Sequence, residues 1–336
     1  MEALLNCQVL LPLFDRNFLN MKSLNTLDAV IKRFQNQTPI RATSLVITIY
    51  GDAIEPHGGT VWLGSLIKLL EPIGINERLM RTTIFRLTQD GWLMSDKVGR
   101  RSYYSLTGPG RRKFEQAFRR VYSAKSAAWD GSWSLILIQQ LSPEQRKQLL
   151  DELEWQGFGV LSPGLLGSPR ANPAEVNSAL SSLGVSDRVV LFNTSAREEL
   201  AGKPIRMLVR DSWGLPDMGA RYQDFIDLFR PMWQELNDNK GRDQQACFLA
   251  RILLIHEYRK LVLRDPLLPE ELLPGDWEGR AARQLCRNIY RSLTPYAEQW
   301  IAEQLETAEG PLPAASATFY RRFDGLEKYS AQELAD

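Results

Sequence analysis

The sequence predicts a multidomain α+β protein: an N-terminal winged helix-turn-helix, a central ferredoxin-like βαββαβ unit and a C-terminal all-α unit. Three observations predict it. Residues 75–106 (INERLMRTTIFRLTQDGWLMSDKVGRRSYYSL) read as a helix with outward arginines, then two short strands joined by a Gly-Arg-Arg turn. Residues 132–193 alternate strand-like and helix-like runs in the order βαββαβ. From Asp217 onward the pattern is helical.

With 336 residues the chain has room for two or three domains, and 24% charged against 44% hydrophobic residues is ordinary for a globular protein. The overall net charge of +1 hides an asymmetry. Residues 41–125 carry 14 Lys/Arg against 7 Asp/Glu, a net of +7, whereas residues 126–336 carry 23 against 30, a net of −7. A basic unit joined to acidic ones points to a polyanion partner for the first part alone.

The apolar run at the N-terminus (MEALLNCQVLLPLF) has no basic flank or cleavage site, and Asp15 and Arg16 end it short of a membrane span. No membrane contact is expected. Residues 1–20 read as an overextended reading frame or a tag, and 1–40 as an N-terminal extension. In RATSLVITIYGD (41–52) a helix is favoured, though the run is rich in β-branched residues. His57-Gly58-Gly59 reads as a loop and Thr60-Val61-Trp62 as a short strand. Leu63–Glu71 has a broad apolar face, and Pro72-Ile73-Gly74 supplies the turn before the next helix.

Asn76 is a suitable N-cap for that helix, and Glu77 suits its positive end. Met80, Thr83, Ile84 and Leu87 form the buried stripe at i, i+3, i+4 and i+7. The opposite side holds Arg78, Arg81, Thr82, Phe85 and Gln89, with Arg86 beside it. Arginine can bond guanine in a bidentate way and threonine can reach a base edge, so this face fits a major groove of double-stranded DNA. Gly91 ends the helix as a C′ residue. Arg100 and Arg101, at the hairpin tip, are placed for the backbone or minor groove. These units span 41–107, followed by a basic linker helix over 108–128 whose Phe114, Phe118, Val121 and Tyr122 face a core or partner.

The βαββαβ pattern occupies 129–200, and a sheet of this kind can bury a face against a second copy. The helical region spans 201–325, with helices expected over about 218–237, 243–262 and 277–306, the last interrupted near Thr294-Pro295. The segment RDPLLPEELLP (264–274) reads as an ordered loop.

Catalytic chemistry is not apparent. Cys7, Cys247 and Cys286 have no metal-like spacing, and their odd number argues against a disulfide framework. There are two histidines, His57 and His256, and no HExxH, Walker or GxGxxG motif. No enzyme, metal or cofactor is expected.

The blocks YGDAI, GGTVWLGSLIKLLE, ERLMRTTIFRLTQDGWL, GRRSYYSL, AWDGSW, EWQGFG and HEYRKLVLRDPLLPEELLPGDW resemble the PaaX family of phenylacetate-catabolism repressors over about residues 40–325. The resemblance implies a cytoplasmic, homodimeric transcriptional repressor with a central dimerising domain, released from its operator by phenylacetyl-coenzyme A. It assigns no effector residues. An aryl group needs an apolar pocket and coenzyme A phosphates need cations. Tyr258, Arg259, Lys260, Arg264 and Trp277 offer both, with Trp213, Tyr222 and Phe225 as weaker wall candidates. Two rival classes stand beside this reading: a coenzyme A-thioester enzyme or sensor that binds no DNA, and a protein-interaction adaptor.

Overall fold

A computed structural model describes residues 24–38, 40–122, 128–195, 198–238 and 242–326. The segment 1–20 lies outside the described residues. The first helix, α1 (Leu27–Gln35), is a departure from the expected extension over 1–40. It buries Leu27, Val30 and Phe34. Glu235, far along the chain, caps it by accepting from the backbone N–H groups of Asn25 (2.8 Å) and Thr26 (3.0 Å).

Next come α2 (Ala42–Ile49), β1 (Thr60–Trp62), α3 (Leu63–Leu70), α4 (Glu77–Gln89), β2 (Leu93–Val98) and β3 (Arg101–Leu106). Apolar residues dominate α2, and Leu45, Val46 and Ile49 are fully buried. Beyond it the chain widens into a π turn over Tyr50–Ile54 and a 3-10 turn over Glu55–His57, so that of the loop expected at His57-Gly58-Gly59 only the two glycines lie outside a helical turn. A Cβ at Gly51 would overlap the Phe114 ring, so a side chain there would force that ring to move. The three strands pair antiparallel in the order β1-β3-β2.

Helix α5 (Gly108–Tyr122) then leads to β4 (Ser132–Ile138), α6 (Pro143–Trp155), β5 (Gly159–Ser162), β6 (Leu165–Ser168), α7 (Pro173–Ser182) and β7 (Val189–Ser195). Residues 123–127 of the expected linker helix lie outside the described residues. A capping box on Ser142 and Gln145 starts α6, and Asn172 caps α7. The four strands hydrogen-bond in the order β5-β6-β4-β7, each pair antiparallel. Ile136 and Ile138 on one face pack with Leu149, Leu153, Val176 and Leu180 of the two helices.

The rest comprises α8 (Glu198–Ser212), α9 (Leu215–Asp238), α10 (Gln244–Val262) and α11 (Glu278–Gln304), then the paired β8 (Glu306–Thr307) and β9 (Gly310–Pro311). Two expectations need correction. This region is not all-α, because the β8-β9 hairpin closes it. Nor does α11 break at Pro295: it continues through the proline, and Thr294 Oγ1 donates to the Tyr290 carbonyl at 2.7 Å, as helix-interior threonines do.

One hydrophobic core runs from Leu24 through α1–α4, α5 and α9–α11 to Leu326, and the βαββαβ unit keeps a second, smaller one. The N-terminal helices and the C-terminal helices are therefore packed as one body, so a change in one is felt by the other.

Candidate nucleic-acid interface

Helix α4 is fixed at both ends. The Asn76 side chain accepts from the Leu79 N–H at 2.9 Å. At the other end Gly91 adopts φ +70°, and the Trp92 N–H returns to the Leu87 carbonyl at 2.9 Å, satisfying an orphan carbonyl of the last turn. Met80, Thr83, Ile84 and Leu87 are buried against α2 and α3, while Arg78, Arg81, Thr82, Phe85, Arg86 and Gln89 are exposed. Two of these groups have partners within the chain. Arg81 Nε donates to Glu77 at 2.8 Å, and the Thr82 hydroxyl donates to the Arg78 carbonyl at 2.9 Å.

The hairpin arginines differ from each other. Arg100 is exposed at the β2–β3 turn, beside Gly99 at φ +61°. The Arg101 guanidinium lies 4.2 Å from the centre of the Trp62 ring and 2.8 Å from a Glu306 carboxylate oxygen in β8. The C-terminal region thus touches the hairpin at Arg101.

Behind this surface lies a buried ionic hub on Asp52, in the π turn. Arg251 of α10 approaches one carboxylate oxygen at 2.9 Å. The other oxygen accepts from Tyr122 (2.6 Å), Tyr290 (2.8 Å) and Arg322 (3.1 Å). Arg322 also donates to the Gly51 carbonyl, and the rings of Phe118, Tyr122 and Phe319 surround its guanidinium at 4.3–4.6 Å. Asp52, Arg251 and Arg322 are all essentially inaccessible to water. Arg251 continues to Glu298 (2.7 Å), which His57 also contacts at 3.0 Å. Burial, the largest single influence, pushes the Glu298 carboxyl up, but Arg251 and His57 together outweigh it and hold the carboxyl below its ordinary value. Sequence reasoning missed the hub. Its signal was present: single charges at Asp52 and Arg251 within apolar runs, where an ion is seldom buried without a partner.

His256, also within α10, is fully buried, with Nδ1 3.3 Å from Thr48 Oγ1 of α2 and its ring edge-on to Phe34. Burial, reinforced by Lys260, Arg259 and Arg41, holds its pKa well below the ordinary imidazole value. The native state therefore keeps this ring neutral, while the unfolded chain gains a proton below about pH 6.5. Stability is expected to fall as pH drops through that value, by at most about 1.4 kcal/mol per pH unit. Chemical-denaturation midpoints between pH 7.5 and 5.5 measure this, and His256→Gln should flatten the slope. An unchanged slope in that variant would locate the effect elsewhere.

The residues proposed from sequence for an effector do not converge on one cavity. Tyr258 and Trp277 are buried, the first against Phe225 and the second edge-on to Tyr222. Arg259 donates to the Ser44 carbonyl (3.1 Å) and hydroxyl (2.7 Å) of α2. Lys260 pairs with Glu257 at 2.6 Å and, with Arg264, lines a hollow of about 190 Å³ beside Arg33 and Arg221. Arg264 and Arg221 also border a cleft of about 830 Å³ between the four-stranded unit and the helices, with Arg120, Trp155, Phe158 and Trp213. Trp213 is held there by its N–H to the Gly157 carbonyl at 3.2 Å. Trp155 is a half-exposed indole 5.1 Å from the Arg120 guanidinium. Sequence reasoning placed Arg120 only among cations for nonspecific phosphate attraction and did not bring it, Trp155 and Phe158 to this cleft, because they lie on elements distant in the chain from Arg264.

Models of three consecutive regions match: a PaaX-like protein over residues 41–110, a PaaX protein central Cas2-like domain over 126–205, and a PaaX-like C-terminal domain over 213–303. The chain is also 41% identical over 304 residues to the transcriptional repressor PaaX of Escherichia coli (strain K12), covering 90% of this chain and 96% of that one. The chain belongs to the PaaX family. Among solved structures, an uncharacterized protein from Mycobacterium tuberculosis aligns at 20% identity and TM-score 0.48, over 69% of this chain and 88% of its own. Within the PaaX family, then, α4 and the β2–β3 hairpin fall in the first matched region and the four-stranded sheet in the central one. No group of three or more His, Cys, Asp or Glu among the described residues could hold a metal ion, and none of the described helices is long and apolar enough to cross a membrane.

Proposed function

We propose that this chain is a cytoplasmic DNA-binding transcriptional repressor of phenylacetate degradation genes, acting as a homodimer and released by phenylacetyl-coenzyme A. The observation that carries the reading is the exposed arginine face of α4, opposite a fully buried stripe, in a chain so similar to a named repressor. In this reading α2–α4 and the β2–β3 hairpin are a winged helix-turn-helix with α4 in the major groove. Arg78, Arg81, Thr82, Arg86 and Gln89 meet base edges or phosphates, and Arg100 meets the backbone. Arg101 reports hairpin position to the C-terminal region through Glu306.

The pairing order β5-β6-β4-β7 supports a ferredoxin-like central unit. Its outer face carries Leu135 opposite Phe192 and Leu137 opposite Val190, with Leu137, Val190 and Phe192 each more than a third exposed. A second copy would cover this apolar patch. For the effector, the 830 Å³ cleft and the hollow beside it offer aromatic walls at Trp155, Phe158 and Trp213, and cations at Arg120, Arg221, Lys260 and Arg264. That matches an aryl thioester with a phosphorylated tail better than buried Tyr258 and Trp277 do. A ligand held between the two units would alter their relative position, and hence the spacing of the two α4 helices. It can do so only by binding one arrangement more tightly than the other.

The division of labour on DNA is testable by salt titration. Arg81→Ala should cost roughly 1–3 kcal/mol on a specific duplex and little on random DNA, as expected of a base contact. Arg100→Ala should weaken binding to both and reduce the salt slope by about one. Equal losses on specific and random duplexes for both variants would defeat the assignment, and salt-independent affinity would favour a docking surface for protein.

A further inference from the structure

Phe85 is the most exposed large hydrophobic side chain among the described residues, 64% accessible in the middle of α4. Nothing local requires this. The inward stripe is already filled by Met80, Thr83, Ile84 and Leu87. At about 100° per residue, Phe85 projects within about 20° of Arg78 and about 40° of Arg81 and Gln89, almost directly away from that stripe. The ring therefore stands at the centre of the cationic face, flanked by Arg78, Arg81 and Arg86. A partner there must be anionic at its edges and present a small apolar group at its centre. The major groove of DNA does this at a thymine, whose C5 methyl projects into the groove between phosphate ridges.

We propose that Phe85 reads a thymine methyl group in each half-site and is a specificity-determining residue of the interface. This rests on the DNA-binding reading above. An apolar ring can distinguish thymine from cytosine or uracil by the methyl, a distinction the neighbouring arginines, which prefer guanine, do not make. Carrying no charge, it adds nothing to the counterion-release part of affinity.

The test uses the full-length chain and the duplex it selects from a random-sequence library. Each thymine of that duplex is replaced singly by deoxyuridine, which removes one methyl and preserves base pairing. For the natural chain, one thymine per half-site should be sensitive, its replacement costing about 3–5-fold in affinity. In Phe85→Ala that position should become indifferent to the methyl, with the salt slope and thermal midpoint unchanged. Phe85→Leu should retain part of the discrimination. The proposal is overturned if the natural chain tolerates every replacement, or if Phe85→Ala keeps the same uracil profile. It is overturned equally if Phe85→Ala alters the oligomeric state and not the profile, which would make the ring a contact between copies. If no sequence is enriched at all, the DNA-binding reading itself fails, an outcome distinct from these.

Discussion

Asp52→Ala is expected to destabilise the folded chain by about 3–5 kcal/mol, because it leaves the buried Arg322 guanidinium without a carboxylate and Arg251 with Glu298 alone. Arg251 and Arg322 both face the Asp52 carboxylate with no access to water, and Tyr122 and Tyr290 lose their acceptor in the same step. The loss is asymmetric: removing one member of a buried pair costs far more than removing the pair. Replacing Asp52, Arg251 and Arg322 together by apolar residues of similar volume should therefore recover much of the deficit. Denaturant unfolding monitored by tryptophan fluorescence measures both variants. An Asp52→Ala midpoint equal to that of the natural chain would show that the hub does not hold the fold. The position of Asp52 gives the result a functional side. It sits between α2, the scaffold of α4, and four partners on α5, α10, α11 and the C-terminal turn. A chain retaining its fold without the hub should bind DNA yet respond poorly to effector.

Phe192→Asp is the second large effect. Phe192 and Leu135 are cross-strand partners on the outer face of the four-stranded sheet; Leu135 is half-buried against the main core, while Phe192, Leu137 and Val190 are exposed. In a two-fold dimer each substitution is counted twice, and each places a carboxylate in an apolar contact. Light scattering should show a monomer at micromolar concentration. Operator affinity should fall by about 100-fold or more, since two linked α4 helices gain effective concentration that one lacks. Phe192→Leu should leave both properties nearly unchanged. A dimer that survives Phe192→Asp with full affinity would place the interface elsewhere.

Much of α4 and its surroundings was legible because local rules determine them. Asn76 as N-cap, Gly91 as C′ residue and the stripe Met80-Thr83-Ile84-Leu87 are short-range features that periodicity and capping chemistry describe. The central elements were equally readable, since Ser142, Pro143, Asn172 and Pro173 mark helix starts and the strands alternate. What escaped depends on contacts between distant residues. Helix α1 is amphipathic but short, and is settled by packing on α10 and by the Glu235 cap. The effector candidates Tyr258, Arg259 and Lys260 are consecutive in sequence, yet 100° steps send one to the core, one to Ser44 and one to Glu257. Arg101 looked equivalent to Arg100 until Glu306, some two hundred residues later, was found beside it.

The most direct measurement titrates the operator complex of the full-length chain, at fixed salt, with phenylacetyl-coenzyme A, with free phenylacetate and with coenzyme A alone. Release by the thioester alone is predicted, and Arg221→Ala/Arg264→Ala should raise the concentration needed by about tenfold or more while leaving operator affinity intact. Equal behaviour of phenylacetyl-coenzyme A and phenylacetate, or a complex that neither dissolves, would contradict control by the acyl-coenzyme A.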